Sequence, residues 1–282
     1  MIAVVDYQKG NLKSVERGLI TAGGEALITA DASEIARADA IVLPGVGAFA
    51  DAAATMCELG QMDVIRDRVR AGVPFLGICL GEHLMFEHGV EGAPEGNPAC
   101  GLGLLPGTVV AMPRCDAQGK AFKVPHVGWN TIEIPACGGS AAVPPCGEGG
   151  GNAVLSSGGA GGGAARSSAA KRGLFEHGAF PGSTPQPGSE LAFPDSTPQP
   201  GSNLAFACPL FDGIAPGEYF YFTHSYIAPT GSHTIAETTH STRFTSAVQF
   251  GERAFGVQFH PEKSSDAGAR VLANFVAIAA RG

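Results

Sequence analysis

The stretch VPFLGICLG, residues 73–81, joins an apolar run without polar alternation to a Gly-x-Cys-x-Gly turn. Such a run suits a parallel strand covered on both faces by helices. The pattern recurs on either side. IAVVD (2–6) is a short apolar strand, followed by a helical pattern over 11–22 that stops at Gly23-Gly24. EALIT (25–29) and AIVLPG (40–45) supply further strands, and a helical pattern fills 61–71. Late in the chain EYFYFTHSY, HTIAETT, FTSAVQF and AFGVQFH follow closely on one another, and SAVQF-GER-AFGVQF (246–259) reads as a hairpin. A helix over 264–280 closes the sequence. The expected fold is α/β, a mostly parallel central sheet flanked by helices, with a late antiparallel portion.

Residues 136–207 break this pattern with Gly/Ser runs and then a Pro-rich stretch, in which STPQPGSELAF (183–193) returns as STPQPGSNLAF (196–206). Two copies of so short a unit cannot stack a core, and Gly/Ser runs bury too little apolar surface to offset their ordering entropy. The segment reads as a mostly disordered insertion in a single domain spanning 1–282. The alternative is a recognition segment that uses Phe193 and Phe206.

The chain has 282 residues, 44% of them hydrophobic, which is ample for a core. Lys+Arg 18 against Asp+Glu 26 gives a net charge of −8, which argues against a nucleic-acid partner. No run reaches the ~18 apolar residues of a membrane span. The first residues, MIAVVDYQKG, lack a basic leader and meet Asp6 at once, unlike a secretory signal. Seven cysteines without CxxC pairs suit neither a disulfide framework nor a zinc site, so a reducing cytoplasm is the expected setting and no metal is expected.

GICLG (77–81) has the form of a nucleophile elbow with cysteine as nucleophile, followed by the helical pattern EHLMFEH. The glycines permit a tight turn, a helix N-terminus favours thiolate, and the Leu80 N–H can face a developing oxyanion. The same five residues would also suit a buried structural cysteine. GVQFHPEKS (256–264) puts His260 and Glu262 two apart at the end of an apolar strand, on one face if the chain stays extended through Pro261. A base flanked by a carboxylate, in a chain with a cysteine elbow, predicts the triad Cys79, His260 and Glu262. His260 as a mere strand cap is the plainer alternative.

At these residues the sequence resembles the class I, triad-type glutamine amidotransferases. DYQKGN (6–11), LPGVGAF (43–49), KVPHVGWN (123–130), YFTHSY (221–226) and GVQFHPEKS narrow the resemblance to the branch formed by the glutaminase subunits of imidazole glycerol phosphate synthases. It runs along nearly the whole chain outside 136–207. It implies a flavodoxin-like fold, L-glutamine as substrate, no cofactor, and a heterodimer with a (β/α)8-barrel cyclase that uses the released ammonia in histidine biosynthesis. It further implies oxyanion donors at Leu80 and in the loop with Val46 and Gly47. Glu91 would face the glutamine α-amino group, with His83, Ser225 and Tyr226 beside it. Trp129, Tyr221 and Lys263 would face the cyclase.

Two departures stand out. His83 occupies a position where the family has Gln, and an imidazole cannot reproduce an amide. Gln8 stands where the family commonly has Gly, which points to a different turn there. Competing readings are a non-catalytic scaffold of the same complex and a stand-alone cysteine hydrolase. In the latter type the acid precedes the histidine, whereas Glu262 follows His260. His88, His177, His233 and His240 read as surface or loop residues, and the other six cysteines as structural or incidental.

Overall fold

A computed structural model describes residues 1–134 and 208–281, so the insertion, with Phe193, Phe206, His177, Cys137 and Cys146, lies outside the described residues. The first half runs β1 (Ile2–Val5), α1 (Leu12–Thr21), β2 (Ala26–Thr29), α2 (Ala32–Arg37), β3 (Ala40–Gly45), α3 (Phe49–Glu58), α4 (Gln61–Arg70), β4 (Phe75–Cys79) and α5 (Leu80–His83). Then come β5 (Phe86–Gly89), β6 (Ala99–Cys100), β7 (Leu105–Ala111) and β8 (His126–Thr131). The last part holds β9 (Tyr219–His224), β10 (Tyr226–Ile227), β11 (Thr234–Thr239), β12 (Arg243–Phe250), β13 (Ala254–Val257) and α6 (Ser265–Ala279).

Seven strands form the main sheet in the order β11-β12-β13-β4-β3-β1-β2. The pairs β1/β2, β1/β3, β3/β4 and β4/β13 are parallel, while β12 and β11 add antiparallel. The unalternating strands are those buried on both faces. In β1, Ile2 and Val4 pack with Val15 and Leu19 of α1 and Val271 and Phe275 of α6. Ala3 and Val5, on the other face, pack with Ile35, Met56 and Ile65 of α2, α3 and α4. Each large apolar side chain so buried contributes about 1.5–3 kcal/mol. The hairpin of β12 and β13 forms as expected, and β13 also pairs in parallel with β4. That second pairing brings the end of β13 beside the end of β4.

Two expectations need correction. The pattern EHLMFEH does not continue as a helix: α5 is a single turn, and Phe86–Gly89 is strand β5. Tertiary hydrogen bonds claim the carbonyls that a longer helix would use, Leu102 N–H donating to Leu84 O at 2.7 Å and Leu104 N–H to Met85 O at 2.9 Å. His233 is buried rather than at the surface, its Nε2 donating to Pro229 O at 3.1 Å. Gln8, for its part, takes the left-handed conformation at φ 68°, and its N–H is held by Asp6 Oδ1 at 2.7 Å. The side chain therefore bears a turn that glycine adopts without strain.

Candidate active site

Cys79 ends β4 with φ 55° and ψ −107°, a conformation L-residues rarely hold. Close packing enforces it. A Cβ at Gly77 would lie 2.5 Å from Gly81 O, and one at Gly81 would lie 1.8 Å from Leu43 O. Only glycine at both positions lets α5 turn back over β3 and β4. Since α5 is one turn long, it supplies individual N–H groups near the sulfur and no substantial macrodipole.

The end of β13 delivers the partners. His260 Nδ1 donates to Glu262 Oε1 at 3.0 Å, and both side chains are almost wholly buried. The pair does not meet through strand alternation. Pro261–Lys263 is a 3-10 turn, closed by Lys263 N–H on His260 O at 3.0 Å and Ser264 N–H on Pro261 O at 3.1 Å. Proline fits the first position of a helical turn, and it ends the extended chain there. His260 is fixed at its backbone too, its N–H donating to Tyr221 O at 2.9 Å and its carbonyl accepting from Ser264 Oγ at 2.6 Å.

Burial would pull the His260 imidazolium down, but the Cys79 sulfur and the Glu262 carboxylate outweigh it and raise the pKa to about 9. Burial pushes Glu262 up, and the bond to His260 overrides this to hold its carboxyl below the usual range. His260 Nε2 is buried without a hydrogen-bond partner among the described residues, and the nearby Cys79 sulfur is one of the groups that raise its pKa. A cysteine beside an imidazole with an orienting carboxylate is what acyl transfer by cysteine requires.

A cavity of about 400 Å³ opens over Cys79. Val46, Gly47, Leu80, His83, Glu91, Ser225 and Tyr226 all line it, together with His224 and Thr223. Gly47 has φ +100°, which gives the loop beside Cys79 a backbone freedom that other residues lack. Burial pushes the Glu91 carboxyl up. Trp129, Tyr221 and Lys263 come together outside this cavity. The indole and phenol rings meet edge-on at 6.0 Å, and Lys263 Nζ stands 5.9 Å from the Tyr221 ring centre. Trp129 is 51% exposed, and Val127 and Tyr219 extend the same apolar face of the β8–β9 ribbon.

Three residues were not singled out from sequence. Asn11 Nδ2 donates to Glu262 Oε1 at 3.5 Å, and the Cys79 thiol faces Thr223 O at 3.9 Å. Gln258 Nε2 lies 3.7 Å from Cys79 Sγ. Asn11 and Gln258 do stand inside the motifs DYQKGN and GVQFHPEKS, which was the available signal. Among the described residues no three His, Cys, Asp or Glu side chains converge as metal ligands, and no helix is long and apolar enough to cross a membrane.

Residues 3–133 and 194–279 match the family described as glutamine amidotransferase class-I. The chain belongs to that family. Curated relatives narrow the likeness. The imidazole glycerol phosphate synthase subunit HisH of Moorella thermoacetica is 34% identical over 97% of this chain and 93% of its own length. The protein of the same name from Rhodopirellula baltica is 33% identical over 98% of this chain and 96% of its own length. Among solved structures, a glutamine amidotransferase crystal structure covers 99% of this amidotransferase and 98% of its own chain with a TM-score of 0.55, at 16% identity. At that identity the likeness speaks for the fold, and the fold agrees.

Proposed function

We propose that this amidotransferase hydrolyses L-glutamine to glutamate and ammonia through the Cys79–His260–Glu262 triad and a thioester. We propose further that it delivers the ammonia to a (β/α)8-barrel cyclase forming imidazole glycerol phosphate and an aminoimidazole carboxamide ribotide in histidine biosynthesis. The observation that carries the reading is the buried His260–Glu262 pair beside the strained Cys79, which lines a cavity of about 400 Å³. The names of the relatives supply the partner.

In the first half-reaction the Cys79 sulfur attacks the carboxamide carbon and forms the C–S bond. The tetrahedral oxyanion takes hydrogen bonds from Leu80 N–H and from the Val46–Gly47 loop. His260 gives its proton to the departing nitrogen, the C–N bond breaks, and ammonia leaves. Water then adds to the thioester while His260 takes its proton. The C–S bond breaks and glutamate departs. Glu262 holds the ring in one orientation throughout, and Asn11 steadies the carboxylate.

Glu91 is the counter-charge for the substrate α-ammonium. Glu91→Ala is expected to raise KM for glutamine about tenfold or more, with a smaller change in kcat, in steady-state glutamate release. An unchanged KM would remove Glu91 from the binding site. The exposed Trp129–Tyr221–Lys263 face, widened by Val127 and Tyr219, is the docking surface for the cyclase. The described residues act as one domain in the cytoplasm, with 136–207 as an insertion in the sequence, a reading supported by a family match over 3–133 and 194–279 that leaves 134–193 outside it.

The test is glutamate release by this chain with its cognate cyclase and the cyclase's ligand. Release that vanishes in Cys79→Ala supports the reading. No release from a demonstrably formed complex overturns it and leaves a scaffold fed by free ammonia.

A further inference from the structure

Gln258 is fully buried, immediately after β13 and two residues before His260. Its side chain shares the sheet face on which α5 lies. A Cβ at Gly256, the preceding position on that face, would lie 2.8 Å from Glu82 Cγ, so α5 is packed directly on this strand. The amide of Gln258 then spans two polar groups. Its Oε1 is 2.7 Å from His83 Nε2, and its Nε2 is 3.7 Å from Cys79 Sγ.

We propose that Gln258 is a further catalytic residue of the reaction assigned above, its amide N–H donating to the Cys79 thiolate, and that His83 is the residue that orients this amide. An amide has one accepting end and one donating end, and the partners decide which faces which. With hydrogen on Nε2, His83 donates to Gln258 Oε1 and turns the NH2 group toward the sulfur. The reversed amide would aim a carbonyl oxygen at a thiolate. A hydrogen bond to the charged form favours that form, the more so in a dry site.

Burial drives the His83 imidazole down to about 4 against the opposing bond to Gln258, so the ring is neutral and its tautomer is free to follow its partner. Position 83 therefore has a second task besides lining the cavity, and a glutamine there can perform it. Its amide N–H would reach Gln258 Oε1 as the imidazole does. The departure from the family pattern keeps the orienting bond and changes only the group that makes it. The other titratable groups around the sulfur are Tyr7 after β1, Glu82 on α5 and His260 after β13, with His224 of β9 near His83. All four are unchanged in the variants below.

The test reads the thiol rather than turnover. Carbamidomethylation of Cys79 by iodoacetamide is followed against pH in the full chain, with the Cys79 peptide quantified by mass spectrometry. Gln258→Met, of similar volume, is expected to slow alkylation at neutral pH about tenfold and move the profile up by about one unit. His83→Leu should reproduce the shift, and His83→Gln should stay close to the parent profile. If Gln258→Met fails to fold, the two His83 variants decide. Superimposable profiles in folded Gln258→Met, or in His83→Leu, overturn the proposal. A shift in a chain that releases no glutamate would keep the relay and remove the functional reading.

Discussion

Replacing His260 by Asn is expected to lower glutamine hydrolysis by about 10⁴-fold, since one group serves as base, acid and counter-ion to the thiolate. Asparagine retains a polar group after β13 and should leave the fold and the cyclase complex intact. The pH profile is the sharper readout. With the imidazolium raised to about 9, the parent enzyme holds its acid through neutral pH and loses activity only as pH climbs through that value. The alkaline limb should disappear in His260→Asn. Glu262→Gln, which removes one of the charges that raise His260, should move the limb to lower pH. Stability has the same sign. The folded pKa of about 9 lies above the ordinary 6.5, so the imidazolium's contribution is complete below 6.5. It is lost as pH rises from there toward 9. An alkaline limb that persists in His260→Asn would assign it to another group.

Gly81→Ala is expected to have the largest structural effect. The added Cβ would sit 1.8 Å from Leu43 O and 2.9 Å from Leu43 C, and both are backbone atoms of β3 that cannot rotate away. Relief requires α5 to lift from the sheet, taking Leu80 N–H and Cys79 with it. The cost should exceed about 4 kcal/mol, the range reserved for severe overpacking, and lower Tm by about 10 °C or more. Gly96→Ala is the control. Gly96 has a positive φ of 74°, which Gly81 does not, and nothing lies within 4 Å of its would-be Cβ, so strain alone should cost only about 1 kcal/mol. Equal melting shifts for the two variants would mean that the clash with Leu43 is relieved locally and that the elbow's packing does not govern position 81.

The parallel sheet was legible because β1, β3 and β4 are buried on both faces and carry no alternation. GICLG alone suits a structural cysteine equally well, and the elbow became legible only with the late GVQFHPEKS motif in the same chain. What was missed depends on contacts distant in sequence. The single-turn α5 follows from hydrogen bonds to Leu102 and Leu104, which no local periodicity records. The His260–Glu262 contact was expected for the wrong reason. Two-residue spacing suggested a shared strand face, whereas Pro261 starts a 3-10 turn that brings the carboxylate back to Nδ1. Gln258 escaped notice because its partners, His83 and Cys79, are about 180 residues away in the chain and meet it only through the β4/β13 pairing.

Cys79 is the residue expected to carry the acyl group of glutamine. The most direct test is an acid quench of the complex during turnover, followed by intact and peptide mass measurement. One glutamyl group is expected at Cys79, absent in Cys79→Ala and accumulating when water attack is slowed. Undiminished glutamate release from Cys79→Ala, or a glutamyl group on any other residue, would contradict it.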